Sequence, residues 1–327
     1  MNMNRTLIVA GAIAAATWTP AHALEGNAQA VQGILIGASA GVPPPGIYGF
    51  NQVFSYQANL TGPGTTSLGL GNKTGVQVAV NLDGFLFVPG WTFLGATYDA
   101  VVVVPFAMSS VGSPVNAQAS GMHNTYIAPV ELAWKLGNSG FAVKTGLGMF
   151  VPDGTQTGAN GLGNQGAPYW TFTPEVIVSY LKDGYNLSAA IYAEINTRNT
   201  VDQYKSGSVL HADFTATKAI GKWTVGPVAY YVGQVSNDNS PIPGATSFNA
   251  QRYNIWSVGG LVGYDFGAAS LSFWLTKEVY ASASNAAALS TIGIDPSLTT
   301  KGFLGFATLS YRIWAPDEPG KNPLIHK

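Results

Sequence analysis

Residues 179–199 read SYLKDGYNLSAAIYAEINTRN, and from Tyr185 to Arg198 they keep a period of two. Tyr185, Leu187, Ala189, Ile191, Ala193 and Ile195 share one parity; Asn186, Ser188, Tyr192, Glu194, Asn196 and Arg198 share the other. This pattern marks a strand that is apolar on one side and polar on the other. It is far longer than the usual five or six residues of a soluble strand. In hydrocarbon every backbone N–H and C=O must be paired within the protein, so a sheet crosses a bilayer only as a closed barrel. One parity then faces lipid and the other faces the lumen.

The same alternation recurs. Trp170, Phe172, Val176, Val178 and Tyr180 oppose Thr171, Thr173, Glu175 and Ser179, and Leu210, Ala212, Phe214 and Ala216 oppose His211, Asp213, Thr215 and Thr217. Near the end, Phe303, Ala307, Leu309, Tyr311 and Ile313 oppose Thr308, Ser310 and Arg312. The first and third segments alternate less cleanly. About twelve strands are predicted, near 46–59, 72–88, 91–107, 124–136, 140–151, 167–181, 184–198, 207–219, 222–236, 253–266, 269–281 and 300–314. Tight connections at residues 89–90, 137–139, 182–184, 220–222 and 266–268 carry the Gly, Asn and Asp that hairpin turns require. They alternate with long Gly-, Ser-, Asn- and Thr-rich links. An up-and-down transmembrane barrel predicts this asymmetry, with short periplasmic turns, longer extracellular loops and both termini periplasmic. A soluble β-sandwich has no reason for it.

Composition agrees with a lipid-facing surface. Charged residues are 9% of the chain, against about 25% in an average soluble domain. A formal charge of −1 leaves no basic footprint for nucleic acid. Residues 1–23 hold one basic residue, Arg5, an apolar run from Leu7 to Trp18, and Ala21-His22-Ala23, which reads as a cleaved secretory signal. The competing reading, a membrane anchor, needs ~20 apolar residues. No later stretch is long enough for a spanning helix, and the absence of cysteine excludes thiolate metal sites and disulfides. The expected organisation is a signal at 1–23, a periplasmic or lumen-plugging segment at 24–45, a barrel at 46–314 and a periplasmic tail at 315–327.

At Gly37-Ala38-Ser39-Ala40-Gly41-Val42-Pro43-Pro44-Pro45-Gly46-Ile47-Tyr48 the chain resembles the opening of the outer-membrane family named for the meta-pathway of phenol degradation. The layout matches over roughly 24–314: a leader, a Gly-rich stretch, a Pro-Pro-Gly-x-Tyr entry, then barrel strands. The resemblance implies a channel in the outer membrane of a Gram-negative bacterium, linked to uptake of aromatic or other poorly soluble compounds. Its C-terminus departs from the many barrels that end on an aromatic residue read by the barrel-assembly machinery. This chain runs past Trp314 to Lys327.

Parity places Lys73, Asp83, Asp99, Glu131, Lys135, Lys144, Glu175, Glu194, Arg198, His211, Asp213, Glu278 and Arg312 on the inner face. Tyr192, Tyr230, Tyr253, Trp274 and Tyr280 join them as aromatic residues of inward parity. They read either as a salt-bridged and steric filling of a narrow barrel or as the lining of a permeation path. The apolar stretch Gly33-Ile34-Leu35-Ile36 suggests that the N-terminal segment folds into the lumen, with Pro43–Pro45 as a stiff hinge; a free periplasmic tail is the alternative.

Chemistry is otherwise sparse. His211 has Asp213 beside it but no Ser-containing signature, so a catalytic dyad is not supported. Residues 161–166 match G-x-G-x-x-G, but the match precedes a strand where the dinucleotide motif needs a helix. No metal or cofactor is implied. The expected partners are a small-molecule solute, outer-membrane lipid and the barrel-assembly machinery during biogenesis. The expected function is passive transport of small molecules, with a structural or surface-interaction barrel of closed lumen as the alternative.

Overall fold

The computed structural model describes residues 28–71, 73–156, 164–239, 251–285, 295 and 297–316. The expected signal at 1–23 and nearly all of the tail lie outside the described residues. Fourteen strands form one sheet: β1 (Gly46–Thr61), β2 (Gly75–Val88), β3 (Thr92–Phe93), β4 (Ala96–Val111), β5 (Ala117–Met122), β6 (Tyr126–Lys135), β7 (Phe141–Phe150), β8 (Thr171–Tyr180), β9 (Tyr185–Asn196), β10 (Val209–Ile220), β11 (Trp223–Gln234), β12 (Gln251–Asp265), β13 (Ala269–Asn285) and β14 (Thr299–Trp314). β3 is a two-residue strand folded on the start of β4, and β5 folds back antiparallel on the end of β4, at Phe106–Val111, as a second hairpin.

The remaining twelve make the wall. Each runs antiparallel to its neighbours; β1 pairs with both β2 and β14, and β2 pairs with β4, so the ring has no free edge. This closed antiparallel twelve-strand β-barrel has one strand for each of the twelve segments expected from sequence. The short turns use left-handed residues where anticipated: Gly90, Gly137, Asp183, Gly184, Gly221 and Gly267 all have positive φ. One boundary differs. The strand expected from residue 91 starts at Ala96, because Leu94 and Gly95 take positive φ and fold β3 back on β4.

Outward side chains are apolar over most of the ring, including Leu187, Ile191 and Ile195 on β9 and Phe106 and Met108 on β4, all well exposed. Aromatic pairs gather at the short-turn end: Trp91 stacks on Tyr98 with ring centroids 5.5 Å apart, and Trp223 meets Tyr264 edge-on at 4.8 Å. That is where an interfacial girdle belongs. Inside, β6–β10 turn polar and charged residues inward, whereas β1, β2 and β4 present Phe54, Val78, Val80, Leu82, Val103 and Ala107 to the interior.

Candidate functional site

On β9 and β10 strict alternation buries every second residue, which brings Glu194, His211, Asp213 and Thr215 to one inner wall. Residues 28–43 lie against it. Glu194 is fully buried and accepts hydrogen bonds from the backbone N–H of Gln29 at 2.6 Å, of Ala30 at 2.9 Å, and pairs with His211 Nε2 at 2.8 Å. Asp213 accepts from the Leu35 N–H at 2.9 Å, Thr215 Oγ1 from Gly37 at 2.8 Å and Ser179 Oγ from Ala40 at 2.8 Å. The Asn186 side chain donates to the Gly37 carbonyl. A segment with no regular secondary structure thus finds partners for its backbone on three consecutive strands, as burial demands. Ile36 anchors it in the apolar core with Tyr230, Leu261 and Trp274.

Two polar knots stiffen the interior. Lys144 Nζ lies 3.0 Å from Asp99 Oδ1 and 3.0 Å from Glu131 Oε2, with Glu175 alongside. Glu278 is fully buried and accepts from Tyr56 OH, Tyr230 OH at 2.9 Å and the Gly302 N–H at 2.6 Å. Tyr192 stacks on His211 with ring centroids 4.4 Å apart, and Trp274 on Phe306 at 4.8 Å. In the loops, burial pushes the His123 imidazole below its usual range and the Asp238 carboxyl above its own.

What residues 28–43 leave open is a cavity of about 1060 Å³. Val31, Ile34 and Leu35 of the segment form one side; Phe54, Val78, Val80, Leu82 and Val103 form the other. The lining reaches Gly184 and Asp265 at the short-turn end and Gln156 and Val201 at the long-loop end. Glu131, Lys144, Glu175 and Tyr192 edge it. The arrangement has the means to solvate an apolar solute along one wall and to meet polar atoms along the other.

A family model, the MetA-pathway of phenol degradation, matches residues 56–293. The chain belongs to this family. In this phenol-degradation family member the segment at 28–43 precedes the matched residues. An outer-membrane channel from Pseudomonas putida F1 has the same barrel fold, with a TM-score of 0.65 at 10% identity, over 83% of this chain and 98% of that one. The β domain of the Bordetella autotransporter BrkA gives a TM-score of 0.44 at 15% identity, over 82% of this chain and 100% of that one. The CymD monoaromatic hydrocarbon channel gives 0.40 at 7%, over 84% and 90%. No curated protein matches the sequence.

Of the candidate residues in this family member, Glu131, Lys144, Glu175, Tyr192, Glu194, His211, Asp213, Trp274 and Glu278 are buried inside the wall. Lys135 ends β6 and is exposed, and Lys73 lies exposed in the β1–β2 connection. Arg198, exposed beyond β9, donates to the Gln203 carbonyl and to Asn239 Oδ1 at 2.9 Å each. Arg312 is exposed and donates to the Pro45 carbonyl at the foot of β1. Asp83 is a correction: it is exposed, and the buried residues of β2 are Val80, Leu82, Gly84 and Val88, so Asp83 falls on the outer face. The physical reason is that β1, β2 and β4 line the interior with apolar residues, which inverts the rule that polar parity points inward. Tyr280 also faces out, because a bulge between Trp256 and Ser257 shifts the β12–β13 register and leaves Val279 and Tyr280 both exposed. The backbone donors at 29–40 and the apolar wall were missed from sequence. An amide N–H carries no residue signature, while the run of Val76, Val78, Val80 and Leu82 was a signal that could have been read as lining.

Proposed function

We propose that this chain is a passive outer-membrane channel for small hydrophobic or aromatic molecules, which move between residues 28–43 and the apolar wall of β1, β2 and β4. The observation that carries this reading is the cavity itself, apolar along one wall and reaching both ends of the barrel. Membership of a family described by phenol degradation supports the aromatic class. Short turns face the periplasm, with both termini on that side. Residues 28–45 are a partial plug, 315–327 a periplasmic tail, and assembly uses the barrel-assembly machinery. The inward carboxylates serve to dock the plug and edge the path; no residue is assigned a catalytic role. The density of plug contacts favours one alternative, a barrel of closed lumen.

Single-channel recording on refolded protein in planar bilayers, with phenol, toluene and benzoate added in turn, tests the reading. Expected are small stable openings that neutral aromatics block in a concentration-dependent way. A folded barrel that stays silent, or openings indifferent to every aromatic, would overturn it.

A further inference from the structure

Between the apolar flanks of the outer wall lies a polar island. On the outer face of β1 and β2, Asn51 Nδ2 donates to Asp83 Oδ1 at 2.7 Å and to Asn81 Oδ1 at 3.0 Å, and Asn81 Nδ2 donates to Asp83 Oδ2 at 3.1 Å. Ser55, Gln57 and Gln77 continue it along the same two strands, all exposed. The island lies within the lipid belt. Asp83 pairs in register with Val104 and Asn81 with Phe106 on one side, while Asn51 pairs with Leu309 and Val53 with Ala307 on the other. A carboxylate and several amides facing acyl chains are expensive and find no donors there. Lipid is therefore the wrong neighbour for this surface.

We infer that the β1–β2 face is the two-fold interface of a dimer, the island of one copy meeting the island of the other. Two features favour a second copy. The hydrogen-bonding inventory is self-complementary: one Asn81 N–H and the Gln57 and Gln77 amides remain as donors, facing the Asn51 carbonyl and the remaining lone pairs of Asp83. The shape is self-complementary as well. On the β14 side Ser55, Gly260, Gly305 and Ala307 help to line a dent of about 430 Å³. On the β4 side Phe85, Phe106 and Met108 project. A two-fold axis along the membrane normal brings the projecting side of each copy against the dent of the other, the isologous arrangement closed dimers use. The inference requires only that the barrel spans a bilayer and is independent of what passes through its lumen.

The chain has no cysteine, so single cysteines report contact directly. Ser55→Cys and Ala79→Cys are introduced one at a time, with Ile191→Cys on β9 as the control, and outer membranes are treated with a short bismaleimide. The expected result is an adduct of twice the chain mass at position 55 or 79, at least tenfold above the control. Absence of that adduct, equal yield at Ile191→Cys, or adducts to a protein of different mass would overturn the inference. A second readout, native mass spectrometry from lipid, should show Asp83→Leu as a folded monomer; a dimer fraction unchanged by Asp83→Leu would also overturn it.

Discussion

At residue scale, Gly33 shows how closely the inner segment is seated. Its φ of +73° belongs to the left-handed region, and a Cβ there would meet the Trp274 ring at 2.9 Å, with Ile36 and Tyr230 at 3.1 Å. Left-handed strain in a branched residue costs about 1–3 kcal/mol, enough for roughly a tenfold change in a docking equilibrium. Gly33→Val should therefore loosen the segment while leaving the sequence of every wall strand unchanged. The expected outcome is larger conductance and a red-shifted emission from Trp274, with the thermal midpoint of the barrel unchanged. An unaltered current and spectrum would show that residue 33 does not set the seat. Nothing in the primary structure marks Gly33 among 40 glycines; its constraint comes from contacts across the barrel. Glu194, by contrast, was legible as an inward carboxylate, though its main partners, two backbone N–H groups, were not.

At the scale of elements, β8, β9 and β10 were readable because their two faces differ in polarity, and period two then fixes both strand and side. β1, β2 and β4 follow the same period with the contrast weakened or reversed. Their strand character was legible, while the outward position of Asp83 was not. The bulge in β12–β13 adds a second limit, since one extra residue flips every side chain beyond it, as Tyr280 shows. The apolar wall makes its own prediction. Leu82 is buried and lines the cavity, so Leu82→Gln inserts an amide into the apolar side of the path at little change in volume. The flux of neutral aromatics into liposomes should fall severalfold, while the small-ion current stays within a factor of two. An equal loss of both would mean a generally distorted lumen instead of a wall that discriminates by polarity.

At the scale of the whole molecule, the barrel closes through its strands alone: every wall strand has two antiparallel partners, none of them in residues 28–43. Removing residues 28–42 should leave a folded, heat-modifiable barrel, because water can solvate Glu194 and Asp213 once the segment is gone. Conductance should rise severalfold, and selectivity for aromatics should fall with loss of the facing side of the path. A deletion that abolishes folding would make the segment part of the scaffold. The partners of that segment also dictate a chronology. Gln29 waits for Glu194, 165 positions later, and Leu35 for Asp213, 178 positions later. Contacts so distant along the chain form only after the intervening polypeptide has been ordered. The first part of this region to leave the ribosome is therefore among the last to reach its place, and until β9 and β10 stand side by side its apolar stretch has nowhere to go.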